Sequence, residues 1–318
     1  MNELPFVAHG TTLAFAWFLL MNVTLSAGVA LVSAALTRQT RALSPGFWLA
    51  LRLLPAALSI LFVAAVFLPS YWRYEPRDGV EGFDVTLTTL AALAISVIAA
   101  GTVRAVSAWR RAARRTDAWM QMALPMRLAE SPVATFAINA DVPVMALVGV
   151  LRPRLLITRP VLEVLTEEEL RAGVAHEIGH QRAWDNLKRL LMQAAPDLLF
   201  ATPAARALER RWASASEHVA DRRAGDSAAR CALASALVKV ARMTPPLSAI
   251  AEPISSLVDG GDIASRVTRL LDDAPWDRRG RATRWLLLGA AVAAVTVNYT
   301  PILHAVHGVT EILVNSLP

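Results

Sequence analysis

The chain contains one cysteine, Cys231, among 318 residues. An internal disulfide and a thiolate metal cluster are therefore both excluded, and any metal must rely on histidine and carboxylate ligands. Lysine is nearly absent too: Lys188 and Lys239 are the only two, so almost all of the 32 basic residues are arginines. Charge is scarce, at 18% Asp, Glu, Lys and Arg against 55% apolar residues, and mean hydropathy is +0.41. These values exclude a disordered chain and argue against an ordinary soluble one.

Four stretches carry no charge at all: Leu4 to Thr37, Leu53 to Trp72, Val85 to Val103 and Trp285 to Thr310. A helix needs about 20 residues to cross the hydrocarbon core of a bilayer, and a buried helix of a soluble domain nearer 10–14, so each stretch is expected to span a membrane. Only Glu3 precedes the first stretch and no small-residue cleavage site follows it, so it is expected to be an uncleaved anchor. Arginines cluster at Arg38, Arg41 and Arg52, at Arg110, Arg111, Arg114 and Arg115, and at Arg278, Arg279, Arg281 and Arg284. The positive-inside rule puts all three clusters in the cytoplasm, with both termini and the loop Ser70 to Asp84 outside. Trp48, Tyr71, Trp72, Trp109 and Trp285 fall near span ends, as interfacial aromatics do. A net charge of +6 invites a nucleic-acid reading. The Arg110–Arg115 cluster, however, abuts a span and accompanies no binding motif, so the bilayer is the expected partner and direct nucleic-acid contact is not.

The expected organisation is a three-helix membrane region over 1–106, a cytoplasmic domain over 107–283, and a final span with a short outer tail over 284–318. In the middle region the apolar runs Val133–Asn139, Met145–Leu151 and Arg154–Thr158 alternate with turn signals at Asp141, Pro143 and Pro153, which predicts a small antiparallel sheet. Thr166 and Glu169 form a capping box, and the helix they open is expected to run to about Pro196.

That helix contains His176-Glu177-Ile178-Gly179-His180. Histidines four apart share one helix face and can bind one cation, while Glu177, one position round, can take a proton from a water at the site. A catalytic zinc site needs three protein ligands and an open position. Thr202-Pro203 opens a second helix carrying Glu217-His218-Val219-Ala220-Asp221, which is expected to stop near Gly225. Glu217 is the natural third ligand, and His218, about 100 degrees round the helix, is its rival. Asp221, one turn after Glu217, can accept from the far nitrogen of a ligating histidine.

These two motifs, with Asp185 five residues after His180, resemble the gluzincin integral-membrane metallopeptidases, which include HtpX, the CAAX prenyl proteases and the BlaR/MecR-type antirepressor proteases. Three spans before the site, one after it, and no apolar span between His180 and Glu217 are most similar to the BlaR/MecR type. The runs Pro153–Thr158, Leu165–Leu170 and Arg266–Leu271 are similar as well, so the resemblance covers roughly residues 140–275. It implies a mainly α membrane protein of about four transmembrane helices, with a cytoplasmic α+β zincin-like domain inserted before the last. It further implies one catalytic Zn2+, a supporting role for Asp185 beside Asp221, and a bacterial inner-membrane location. With only a short tail after the fourth stretch, a penicillin-binding sensor domain is not expected, and β-lactam sensing is not implied.

The expected activity is hydrolysis of cytoplasmic or membrane-proximal polypeptides by zinc on His176, His180 and Glu217, with Glu177 as general base. Substrate is expected to add as a strand to the sheet edge at Ala146, Leu147, Val148, Gly149 and Val150. Regulatory cleavage of a transcriptional repressor in signal transduction, quality control of HtpX type, and a non-catalytic zinc-binding scaffold are the readings in play. The run Pro196 to Ala205, interrupted by Asp197 and Pro203, is expected to pack on the sheet rather than lie on the membrane. Cys231 is expected to be a packed small hydrophobe. His304 and His307 lie near the outer end of the last span with only Glu311 close in sequence, too few ligands for a metal.

Overall fold

A computed structural model describes residues 3–36, 43–77, 84–128, 131–243, 255–256, 263–272, 294 and 296–316. Among the described residues, three helical stretches are long and apolar enough to cross a membrane: Leu4–Leu36, Pro45–Tyr74 and Val85–Met120. Helix α1 (Glu3–Leu36) carries no charge beyond Glu3. Helix α2 (Pro45–Phe62) starts on Ser44, whose hydroxyl accepts from the Phe47 amide, with Pro45 in the first turn where its missing N–H costs nothing. A π-helical turn, Val63–Phe67, joins α2 to α3 (Leu68–Tyr74). Asp84 caps α4 (Val85–Met120), accepting from the Thr86 and Leu87 amides at 3.0 and 3.1 Å. Helix α4 outruns the charge-free stretch and crosses residue 107 without a break.

Of the fourth charge-free stretch, residues 285–293 and 295 lie outside the described residues, as do Arg38, Arg41, Arg278, Arg279, Arg281 and Arg284. The last described helix, Tyr299–Asn315, continues past Thr310 and includes Glu311.

Five strands form one sheet: β1 (Ala123–Met126), β2 (Ala134–Ile138), β3 (Met145–Val148), β4 (Arg154–Thr158) and β5 (Ser255–Ser256), in the order β1-β2-β4-β3-β5. The antiparallel expectation fails at one junction, where β2 runs parallel to β4 from Ala134 opposite Arg154 to Ile138 opposite Thr158. The insertion of β4 is the cause: β2 and β3 run opposite ways, and β4 lies between them, so being antiparallel to β3 makes it parallel to β2. The β3–β4 hairpin turns at Gly149 (φ 91°), where a side chain would sit 2.8 Å from the Arg152 carbonyl.

The candidate edge strand is corrected by the same topology. β3 stops at Val148, so Gly149 and Val150 lie in the turn. β3 also lies between β4 and β5, with Ala146 opposite Ser256 and Leu147 opposite Ser255, and all four of its residues are buried.

Helices follow: α5 (Arg159–Val164), α6 (Glu167–Ala183), α7 (Asp185–Ala194), α8 (Pro203–Arg223), α9 (Ser227–Met243), α10 (Ile263–Leu271) and α11 (Tyr299–Asn315). Helix α6 is held between sheet and α9 by a core that includes Leu155, Ile157, Val174, Ile178, Leu233, Leu237 and Val240. At about 1.5–3 kcal/mol per fully buried apolar side chain, this packing outweighs the roughly 1 kcal/mol of a helix cap. Cys231 is exposed on α9, contrary to expectation. It lies about 200 degrees round the helix from buried Leu233.

The capping box is present: Glu169 N–H donates to Thr166 Oγ1 and Thr166 N–H to Glu169 Oε2. Glu169 also accepts from Ser235 Oγ (2.6 Å) and Lys239 Nζ (2.8 Å), which ties α6 to α9. Burial alone would raise its carboxyl, but these donors hold it below the usual 4.5. A depressed folded-state pKa stabilises above the unfolded value and ceases to do so as pH falls through the folded one. Near neutral pH, Glu169→Gln is therefore expected to melt below the parent, with the gap closing under acid, as parallel thermal scans across pH would record.

The single helix expected to reach Pro196 breaks at Trp184, which is left-handed (φ 58°). The expected sheet packing of the Pro196–Ala205 run is also overturned. Leu199 is fully buried with Val29 of α1, Trp48 of α2, and Leu208 and Trp212 of α8. The α7–α8 linker thus docks on the membrane helices, and each of them grips it. Asn22 of α1 donates to the Pro196 carbonyl and accepts from the Leu198 amide, both at 2.9 Å. Arg52 of α2 donates to Asp197 (2.8 Å), Glu209 (3.0 Å) and the Met192 carbonyl (3.0 Å). Arg104 of α4 donates to the Ala195 carbonyl (2.7 Å) and lies over the Phe200 ring, 3.8 Å from its centroid. A polar side chain inside apolar helices must find such partners, and here they are the backbone and carboxylates of one short segment.

Candidate active site

Helices α6 and α8 cross at Gly179, where a Cβ would stand 3.3 Å from Ala220 Cα. This close approach brings Glu217 to the two histidines. His176 Nε2 and His180 Nε2 are 3.2 Å apart, His176 Nε2 is 3.4 Å from Glu217 Oε2, and His180 Nε2 is 3.3 Å from Glu217 Oε1. The edges of a tetrahedron with bonds of about 2.0–2.1 Å measure about 3.3 Å, so each separation is that of neighbouring zinc ligands, although the two histidines face different oxygens of Glu217. All three residues are buried, with the Glu217 carboxylate turned toward both histidine Nε2 atoms, which is the environment of a metal ligand. The group contains Glu217 and not its rival; His218 is half-buried, with burial and the charges of Arg269 and Arg222 lowering its imidazole pKa.

The outward nitrogens of both histidines face carboxylates. Asp221 Oδ1 lies 3.0 Å from His176 Nδ1, and Asp185 Oδ2 lies 2.8 Å from His180 Nδ1. Asp185 reaches His180 only because Trp184 breaks the helix. Five residues on in a continuous α-helix, it would project about 140 degrees away. Burial lowers the proton affinity of both imidazoles, but Asp221 and Glu217 outweigh it at His176, and Glu217 and Asp185 lift His180 to about 10. The negative field that favours protons there equally favours a divalent cation.

Glu177 is fully buried beside the triangle. Its Oε2 accepts from the Leu147 amide at 3.2 Å, its Oε1 has no hydrogen-bond partner, and burial raises its carboxyl pKa, the direction a general base requires. Across the strand, Asn186 Nδ2 donates to the carbonyls of Leu147 (3.1 Å) and Gly149 (3.0 Å). A cleft of about 70 Å³ opens beside His180, between the β3–β4 turn and the α6–α7 break, lined by Gly149, Val150, Trp184 and Asn186 among others.

Arg266 belongs to the site but was visible in the sequence only as the start of the Arg266–Leu271 run. It is buried on α10 and grips Asp221 with two donors, at 2.6 and 3.1 Å, while Nη1 stands 3.1 Å from Glu217 Oε2. Burial opposes its charge, and Glu217 and Asp221 more than restore it. Replacing Arg266 with Met leaves Asp221 without its clamp. Supporting groups of this kind typically contribute 10–100-fold to metal affinity, so a chelator competition is expected to show zinc binding weakened by about that factor.

A Protease HtpX homolog from Thermoplasma volcanium is 45% identical to this chain over 47 residues, which is 15% of either protein. The family described as BlaR1 peptidase M56 matches far more, residues 79–268, an interval that runs from before α4 into α10 and so contains the histidine pair, Glu217 and Arg266. With three apolar helices, a buried His-His-Glu group and that match over more than half its length, this chain belongs to the BlaR1 peptidase M56 family of membrane metallopeptidases.

Proposed function

We propose that the chain is a zinc-dependent endopeptidase of the bacterial inner membrane that cuts cytoplasmic or membrane-proximal polypeptides. The observation that carries this reading is the His176–His180–Glu217 triangle with buried Glu177 at its side. A structural zinc site closes its fourth position with another ligand and has no use for an adjacent base, so the arrangement argues against a mere scaffold. Zinc held by His176, His180 and Glu217 would supply Lewis acidity to the scissile carbonyl and to water. Glu177 takes the proton from the attacking water and delivers it to the departing nitrogen as the C–N bond breaks. Asp221 and Asp185 hold the histidine tautomers, and Asn186 and the Glu177–Leu147 contact hold β3 against the site. The layout we assign is a three-helix membrane region over 1–106, a cytoplasmic peptidase region over 107–283, and a final span with a short outer tail over 284–318, with both termini outside.

Regulatory cleavage, with a transcriptional repressor as the substrate class, is favoured over quality control. The interval between His180 and Glu217 holds α7 and the docked linker rather than further spans, as in the antirepressor type. The test compares new protein N-termini in cells making the intact chain or its Glu177→Gln form at matched levels. Termini that vanish in the variant, concentrated in a DNA-binding regulator, support the regulatory reading, and their spread over many membrane proteins would transfer it to quality control. Identical termini at equal zinc content would refute the peptidase assignment.

A further inference from the structure

The last helix carries a second cluster of metal-ligating side chains far from the site above. Its sequence offered only His304, His307 and Glu311, and folding adds Glu75, the residue that ends α3. Glu75 Oε2 lies 3.7 Å from His307 Nδ1, and Glu311 Oε1 lies 3.8 Å from His307 Nε2. One ligand atom from each of the three residues can be chosen so that all lie within 4.8 Å of one another. Both carboxylate contacts are longer than hydrogen bonds and meet opposite nitrogens of the ring, so an ion taken by one nitrogen draws the carboxylate on the other side round to it.

The arrangement is held by the fold. Tyr299 Oη donates to the Ala65 carbonyl and Ser70 Oγ to the Leu303 carbonyl, each at 2.6 Å, and Trp17 Nε1 donates to Thr310 Oγ1 at 3.1 Å. These bonds fix α11 along the π-turn and α3 and against α1, which leaves His307 facing Glu75. Tyr74 then stacks on the rings of both His304 and His307, with centroids 5.5 and 5.7 Å away. An imidazole immobilised in this way, between two carboxylates at span ends, gives up little conformational entropy on binding an ion.

We infer that Glu75, His307 and Glu311 form a second divalent-cation site, at the end of the second span opposite the peptidase centre. Arg52, at the peptidase end of that span, is 23 residues from Glu75, about 35 Å of helix. One imidazole with two carboxylates selects a borderline cation such as zinc over calcium or magnesium, which prefer all-oxygen shells. An ion there would tie α11 to α3. The competing arrangement is a protonated His307 shared by two carboxylates, with no metal.

Because both sites would take zinc, the experiment uses full-length protein in detergent with the first site disabled by His176→Ala and His180→Ala. After equilibration with free zinc at about 10 μM, a concentration that fills sites of micromolar affinity, this double variant is expected to keep one zinc per chain. Adding His307→Ala should reduce that to none, and Glu75→Gln, a milder change, should do the same. Zinc should raise the melting temperature of the double variant but of neither derivative. Melting without metal identifies any derivative that fails to fold, in which case the other decides. A double variant that binds no zinc, or zinc retained when both His307 and Glu75 are replaced, overturns the site; neither result bears on the peptidase centre.

Discussion

Replacing Glu177 with glutamine is expected to lower kcat by about 10²–10⁴ while leaving one equivalent of zinc at the first site. General acid–base catalysis by a positioned side chain contributes a factor of that order, equivalent to about 3–5 kcal/mol of barrier. Glutamine suits the test because its amide oxygen can still accept from the Leu147 N–H, as Glu177 Oε2 does, so β3 keeps its anchor and the buried volume is unchanged. What is lost is a carboxylate able to accept and release a proton. The measurement pairs single-turnover peptide cleavage with metal analysis of the same preparation. A loss of zinc along with activity would mean that Glu177 supports the ligands rather than the chemistry.

Replacing Arg52 with leucine is expected to destabilise the folded protein by about 3–5 kcal/mol, the usual consequence of stripping one partner from a buried ion pair. Asp197 is fully buried and would be left with only the Phe200 amide as donor among its described contacts, while the Met192 carbonyl loses the Arg52 donor. Glu209, at 27% side-chain exposure, can turn to solvent and adds little. The damage should reach the metal centre, because the disrupted linker joins α7, which holds Asp185, to α8, which holds Glu217. Unfolding midpoints and zinc content in micelles should fall together. The Arg52→Met, Asp197→Leu double variant is expected to regain much of the loss, since it removes both buried charges at once. If Arg52→Leu melted like the parent, the linker's docking would be incidental.

The local features were legible for local reasons. Histidines four apart share a helix face whatever surrounds them, a capping box needs only three residues' separation, and charge-free stretches of bilayer length declare themselves by composition. The choice of Glu217 over His218 also followed from helix periodicity, with Asp221 one turn on. The break at Trp184 left no comparable mark. A non-glycine residue in the left-handed region is unfavourable by itself, and tertiary contacts on both sides must hold it there. Without that break the role of Asp185 could be inferred only from resemblance.

Long-range encounters decided the rest. The strand order depended on which side of β4 was still open once β3 had paired with it. β3 ceased to be a free edge only because Ser255 and Ser256, more than a hundred residues away, pair with it. Arg266 reached Asp221 across 45 residues, Arg52 reached Asp197 across 145, and Glu75 met His307 across still more. Periodicity and composition are properties of neighbours along the chain. A buried charge takes its partner from whichever element packs against it, and that choice exists only once the chain has folded.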